Sequence, residues 1–237
     1  MSRFLLIHGS CHGAWCWDRV LPFLNHGPHQ ARAIDLPAHG ADRTPGATAS
    51  LALYARAIVA AIDQPVILVG HSAAGYAITA AAELAADRIA ALVYLCAYVP
   101  RPGQTLADLR RAGPRQPLRA AIRVAPDRLS YSFDPALVAD ALYDDCPPEA
   151  VERARRSLCP EPIAPQETAL TLTARSTGLP RHYIRCTEDR AIPPEYQASM
   201  TEGWPAACVT TLPTSHSPFF AAPEALARRL IAIAERP

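Results

Sequence analysis

The chain has 237 residues, half of them hydrophobic and 19% charged, with a formal net charge of +1. That length supports one large domain plus an insertion, and the balanced charge excludes a strongly basic nucleic-acid binder or a polybasic membrane-surface protein. Phe4–Ile7 is too short for a signal-peptide core and no apolar stretch is long enough to cross a bilayer; seven cysteines without a CxxC pair point to free thiols in a reducing, cytoplasmic compartment.

Phe4-Leu5-Leu6-Ile7 reads as a fully buried strand that stops at His8-Gly9. After the loop Ser10-Cys11-His12-Gly13, the residues Trp15, Trp17, Val20, Leu21 and Leu24 recur at helical spacing. Gln30–Ile34 is the next strand, ended by the turn-rich Asp35-Leu-Pro-Ala-His-Gly40. Leu51–Ile62 carries an apolar stripe and is an amphipathic helix. Val66-Ile-Leu-Val69 is a strand that runs into Gly70-His71-Ser72-Ala73-Ala74-Gly75 and an alanine-rich helix over Ala73–Ala86, and Ile89–Tyr98 is another strand. A serine between a buried strand and a helix, flanked by small residues, fits a nucleophile elbow, although Ala74 stands where the G-x-S-x-G pattern has its second glycine.

Eleven of the 24 prolines then fall between Pro100 and Pro165. Proline breaks long elements, so this stretch predicts short helices joined by turns. The alternation resumes with a strand at His182–Cys186, a helix at Glu195–Glu202, a strand at Cys208–Leu212 and a final helix opened by Pro223-Glu224. Alternating strands and helices imply crossovers and a mostly parallel sheet of about six strands. The expected organisation is an α/β domain: a core over residues 1–99 and 181–237, interrupted by a helical insertion over 100–180 that forms a cap above the strand ends.

A serine hydroxyl needs a neighbouring general base, itself oriented by a carboxylate. In the order Ser, acid, His, His216 is the base by position, because it alone among the histidines follows the last strand. The acid is Asp189 or its neighbour Glu188, both just past the strand that ends at Cys186. Oxyanion donors are expected at the backbone N–H of Ala73, after the nucleophile, and of Ser10, where Gly9 gives the backbone room. His71 flanks the serine and joins the candidate substrate-binding set. His8, Cys11 and His12 superficially suggest a metal site, but strand-end histidines and a packed thiol explain them, so neither metal nor cofactor is expected. Tyr131, Phe133, Leu137, Leu142 and Tyr143 either line an acyl pocket or form the cap's own small core.

Four segments carry a resemblance: Leu6-Ile-His-Gly-Ser-Cys-His-Gly-Ala-Trp15, Gly70–Gly75, Tyr183–Gln197 and the His216 loop. Together they resemble the methylesterase/hydroxynitrile lyase family of α/β-hydrolases, with a proline-rich cap closer to the bacterial carboxylesterases; Tyr143–Glu149 is also similar. The resemblance implies Ser72 as nucleophile, His216 as base, Ser10 and Ala73 as oxyanion donors, and Asp189 as acid in preference to Glu188. The family's hydroxynitrile lyases carry a lysine after the catalytic histidine and a threonine after the first-strand histidine; here those positions are Ser217 and Gly9. Without the cation, cyanide release loses its electrostatic support, so the resemblance favours ester hydrolysis, with small alkyl or aryl esters and water as partners. Cyanohydrin cleavage and a low-turnover small-molecule receptor are the alternatives, and thioesters or lactones would use the same residues. No cationic pocket is evident, and an exposed apolar cap edge is compatible with a homodimer.

Overall fold

The computed structural model describes residues 1–236. Its centre is a six-stranded sheet: β1 (Arg3–Ile7), β2 (Gln30–Ile34), β3 (Val66–His71), β4 (Ile89–Leu95), β8 (Arg181–Cys186) and β9 (Val209–Leu212), in the order β2-β1-β3-β4-β8-β9. Every pairing is parallel. The period-2 alternation of a strand divides the core between two faces. Leu5, Ile7 and Leu68 pack with helices Leu51–Ala60 and Ala74–Ala85 on one side. Phe4, Leu6, Ile67 and Val69 pack with helix Pro223–Ala234 on the other. Because β3 lies inside the sheet with both faces covered, all six of its residues are buried, which is why Val66–Val69 is continuously apolar and not alternating. Strand β4 ends at Leu95, short of the expected Tyr98, where Cys96 turns the chain with φ +34°.

The segment between β4 and β8 corrects the expectation of a purely helical insertion. Helices Leu106–Ala112, Val138–Leu142 and Pro148–Ser157 share it with an antiparallel sheet of β5 (Ile122–Val124), β6 (Ser130–Phe133) and β7 (Glu161–Pro162). These strands are two to four residues long, too short for periodicity to reveal them. The Trp15–Leu24 region is likewise a single 3-10 turn, Ala14–Trp17, and a short helix, Leu21–Asn25.

Glu161 of β7 ties this segment to the sheet. Its buried carboxylate accepts the Cys11 N–H at 2.8 Å and His39 Nε2–H at 2.9 Å. His39 Nδ1 faces the Pro37 carbonyl at 3.1 Å, so both ring nitrogens lie against acceptor oxygens, an arrangement that favours the protonated ring. Burial alone would lower the His39 pKa, but the Glu161 charge and hydrogen bond raise it above its ordinary 6.5. Burial would raise the Glu161 pKa, but the His39 charge and the hydrogen bonds bring it below 4.5. The raised histidine contributes stability that is full below pH 6.5 and lost as pH rises through its folded value. The depressed carboxylate contributes stability that is full above pH 4.5 and lost as pH falls through its folded value. Stability from this pair is therefore greatest between those two values. Removing one partner of a buried pair costs about 3–5 kcal/mol, so Glu161→Gln is expected to lower unfolding stability by that amount in urea at pH 6 and to weaken its decline toward alkaline pH.

Candidate active site

Ser72 sits at the turn between β3 and helix Ala74–Ala85 with φ +55°, a left-handed conformation that side-chain-bearing residues rarely adopt. The turn is packed so closely that a Cβ on Gly70 would lie 2.9 Å from the Ala74 carbonyl oxygen, and one on Gly75 only 2.0 Å from the Tyr98 carbonyl oxygen. Glycine is thus required at 75, one position after the place where the pattern expects it, while the Ala74 methyl is accommodated in the core.

His216 lies in the loop after β9 and faces the serine. Ser72 Oγ donates to His216 Nε2 at 3.0 Å, and His216 Nδ1–H donates to Asp189 Oδ2 at 2.7 Å. Asp189, in the loop after β8, also accepts the Gln197 side chain at 2.9 Å on Oδ2 and the N–H groups of Ala191 and Ile192 at 2.7 and 2.8 Å on Oδ1. Glu188 is exposed and contacts the site only through its backbone, whose N–H donates to the Thr214 carbonyl. The three residues named from the sequence thus converge on one buried, hydrogen-bonded chain from three separate strand ends.

Sequence reading missed the residues that hold this chain in place. Gln197 is fully buried, donates to Asp189 and to the Ile192 carbonyl, and accepts the Cys186 N–H. Asp145, in the insertion, accepts the Ser215 N–H at 2.7 Å and the Ser215 hydroxyl. His71 Nε2–H donates to the His216 carbonyl at 2.9 Å, and the Cys96 thiol donates to the same oxygen at 3.6 Å. His71, Cys96 and His216 therefore bring three potential metal-ligand atoms within 4.8 Å of one another. Two of those groups already donate to the His216 carbonyl, and burial keeps the Cys96 thiol protonated by raising its pKa well above its usual range. The cluster is an anchor for the His216 loop.

The loop after β1 closes the site from the other side. Gly9 packs against the elbow so tightly that a Cβ there would lie 2.7 Å from His71 Nδ1 and 2.9 Å from Ser72 Cβ. His12 Nδ1–H donates to the Ser10 carbonyl at 2.7 Å, and the Tyr143 hydroxyl donates to His12 Nε2 at 2.6 Å. Burial pushes the His12 pKa down to about 4, so the ring is neutral at pH 7 and braces the loop. Ser10 and Ala73, the two expected oxyanion donors, both line the cavity that exposes Ser72.

That cavity also takes in His71, Tyr131, Phe133 and Leu142, which gives the cap residues a place beside the serine. Tyr143 and Ser217 are not in it. Tyr143 is buried behind His12, and Ser217 is fully buried with an unpartnered hydroxyl, because the chain enters helix Pro218–Ala221 there. Arg110 is in it, which corrects the expectation of a pocket without a cation. Arg110 stands with Arg111 in the last turn of helix Leu106–Ala112.

The parallel sheet order, the elbow and the Ser72–His216–Asp189 hydrogen bonds have the arrangement of an α/β-hydrolase. The family model described as "Alpha/beta hydrolase family" matches residues 4–229, and the chain belongs to that family. Among its relatives it is 31% identical to Methylesterase 7 of Arabidopsis thaliana, over 99% of this chain and 97% of that protein. Methylesterase 1 of the same plant is also 31% identical, with the same coverage. Two solved structures superpose closely: a pyrethroid hydrolase from Sphingobium faniae (TM-score 0.88, 26% identity, 100% and 98% coverage) and polyneuridine aldehyde esterase (TM-score 0.86, 25% identity, 99% and 100% coverage). Within the family, then, the chain is similar to methylesterases over nearly its whole length.

Proposed function

We propose that the protein hydrolyses carboxylic esters through an acyl-enzyme on Ser72. The observation that carries this reading is the continuous chain from Ser72 Oγ through His216 to Asp189, at 3.0 and 2.7 Å. The relatives support the substrate class, since those named are methylesterases, an esterase and a pyrethroid hydrolase.

In this mechanism Ser72 Oγ attacks the ester carbonyl as its proton passes to His216 Nε2. Asp189 holds His216 in the tautomer that leaves Nε2 free to accept, and stabilises the imidazolium that results. The Ser10 and Ala73 N–H groups are the donors for the tetrahedral oxyanion. His216 then gives its proton to the departing alkoxide, and the carbon–oxygen bond to the alcohol breaks. Water, deprotonated by His216, attacks the acyl-enzyme; the carboxylic acid leaves and Ser72 is regenerated. Leu118, Ile122, Phe133 and Leu142 make the wall of the acyl pocket apolar. Methyl and other small alkyl or aryl esters are the substrates this pocket and the relatives favour. Cyanohydrin cleavage gains no support, because Gly9 has no room for a threonine side chain as the loop stands and Ser217 is buried.

All seven cysteines are free, which supports a reducing, cytoplasmic location. The test of the mechanism is covalent labelling. A fluorophosphonate is expected to add one phosphonyl group per chain at Ser72, with loss of p-nitrophenyl acetate hydrolysis in proportion. Labelling at another residue, or activity surviving complete labelling, would overturn it.

A further inference from the structure

Among the described residues, Arg110 is the one formally charged side chain lining the Ser72 cavity, and no carboxylate lines it. Its guanidinium is half-buried, projects from helix Leu106–Ala112, and lies 5.9 Å from the centre of the Tyr131 ring. Among the described residues Arg110 forms no ion pair, whereas its neighbour Arg111 pairs with Asp108. Its protein hydrogen bond uses one donor: Arg110 Nη1–H to Gln166 Oε1 at 3.1 Å. Gln166 Nε2 in turn donates to Ser10 Oγ at 2.8 Å and to the Tyr131 hydroxyl at 2.9 Å. Two hydrogen bonds therefore join Arg110, through Gln166, to Ser10, the residue proposed to hold the oxyanion. A guanidinium carries five N–H donors in a rigid fork, so most of its capacity is unspent.

The surroundings favour an anion at this point. Arg110, Tyr98, Leu118 and Ile122 also line a wider cleft at the surface, together with Arg111, Arg115 and Arg119 and without a carboxylate in its lining. Arg115 is paired with Glu195 outside the lining, while Arg119 has no ion pair among the described residues. Arg110 stands where the cleft meets the apolar space beside Ser72. An ester placed on Ser72 would then have apolar chain against Leu118 and Ile122, and its far end at a partly desolvated guanidinium with free donors.

We propose that Arg110 is a specificity-determining residue that binds a carboxylate on the acyl part of the substrate, so that the preferred substrates are monoesters of dicarboxylic acids. The inference rests on Ser72 being the acylated residue. A single fork with one charge matches a carboxylate bidentately, and the basic cleft draws an anionic ester toward the site.

The test compares monomethyl glutarate and monomethyl adipate with methyl pentanoate and methyl hexanoate on the intact protein. The wild type is expected to show kcat/KM about 10- to 100-fold higher for the anionic member of a pair, the range a charge-assisted hydrogen bond supplies. That ratio should shrink as ionic strength rises. Arg110→Gln is expected to bring the ratio close to one, chiefly through KM for the anionic ester, and Arg110→Lys to restore part of it. A wild-type ratio at or below one would overturn the proposal without any variant. So would a loss in Arg110→Gln that is equal for both esters, which would make Arg110 a brace for Gln166. Should Arg110→Gln not fold, the non-hydrolysable amides N-methylglutaramate (anionic) and N-methylpentanamide (neutral) compared as competitive inhibitors of the wild type decide the matter: equal inhibition refutes it, and tighter N-methylglutaramate supports it. Failure of the underlying mechanism looks different, since neither kind of ester would then be turned over through Ser72.

Discussion

Ser72→Ala is expected to lower kcat for p-nitrophenyl acetate by about a million-fold, the cost when a nucleophile is removed from a serine triad. The hydroxyl is the only group lost, and alanine meets the same backbone demand at φ +55° that serine meets. The elbow is held by backbone bonds the substitution leaves alone: Ser72 N–H to the Leu95 carbonyl at 3.1 Å, and the Gly75 and Tyr98 N–H groups to the Ser72 carbonyl. Thermal unfolding should therefore shift little while the rate collapses. Adding His216→Ala to the variant is expected to cost almost nothing more, because residues that act as one unit do not contribute additively. A variant keeping a tenth of wild-type activity would exclude an acyl-enzyme at this position.

The second large effect is expected from Asp189→Asn, about 10⁴-fold in kcat. The Asp189 carboxylate accepts four hydrogen bonds, two on each oxygen. Asparagine has one acceptor oxygen and one donor group. The N–H groups of Ala191 and Ile192 belong to the backbone and cannot reorient, so the amide oxygen must take their side. Its NH2 then faces Gln197 Nε2 and His216 Nδ1. His216 can relieve the clash only by moving its proton to Nε2, which leaves Ser72 facing a donor in place of a base. The lesion is thus one of tautomer, with little change in shape, and a thermal melt near that of the wild type should accompany the lost rate. An Asp189→Asn enzyme within tenfold of wild type would show that the carboxylate does not orient the base.

Much of this was legible because each element declared itself locally. The buried strand before Ser72 is a continuous apolar run, and the glycines at 70 and 75 mark a chain turn where added side chains would strike backbone. His216 could be named because it follows the last strand, whereas the strand ending at Cys186 left Asp189 and Glu188 open and the family resemblance chose Asp189. The insertion was harder to read. Its strands are two to four residues long, and Glu161 in β7 looks like an ordinary surface acid until β7 pairs and carries it beside His39 and Cys11.

The same limit applies around the reacting residues. Gln166 reaches the site from a position with no periodic or motif signal; Gln197 and Asp145 lie in segments that carry the family resemblance, but the roles of all three exist only through long-range hydrogen bonds. Arg110 is the clearest case. A sequence window shows two arginines ending a helix, but only the packed cap turns the first toward Tyr131 and Gln166 while the second stays outside with Asp108. The amino-acid sequence alone determined the strand–helix alternation, the elbow and the placing of Ser72 and His216 after strand ends, because backbone sterics and local polarity decide those within a few residues. Which charges and amides face the serine was decided by tertiary structure, because a side chain's partner in three dimensions is set by how distant segments pack.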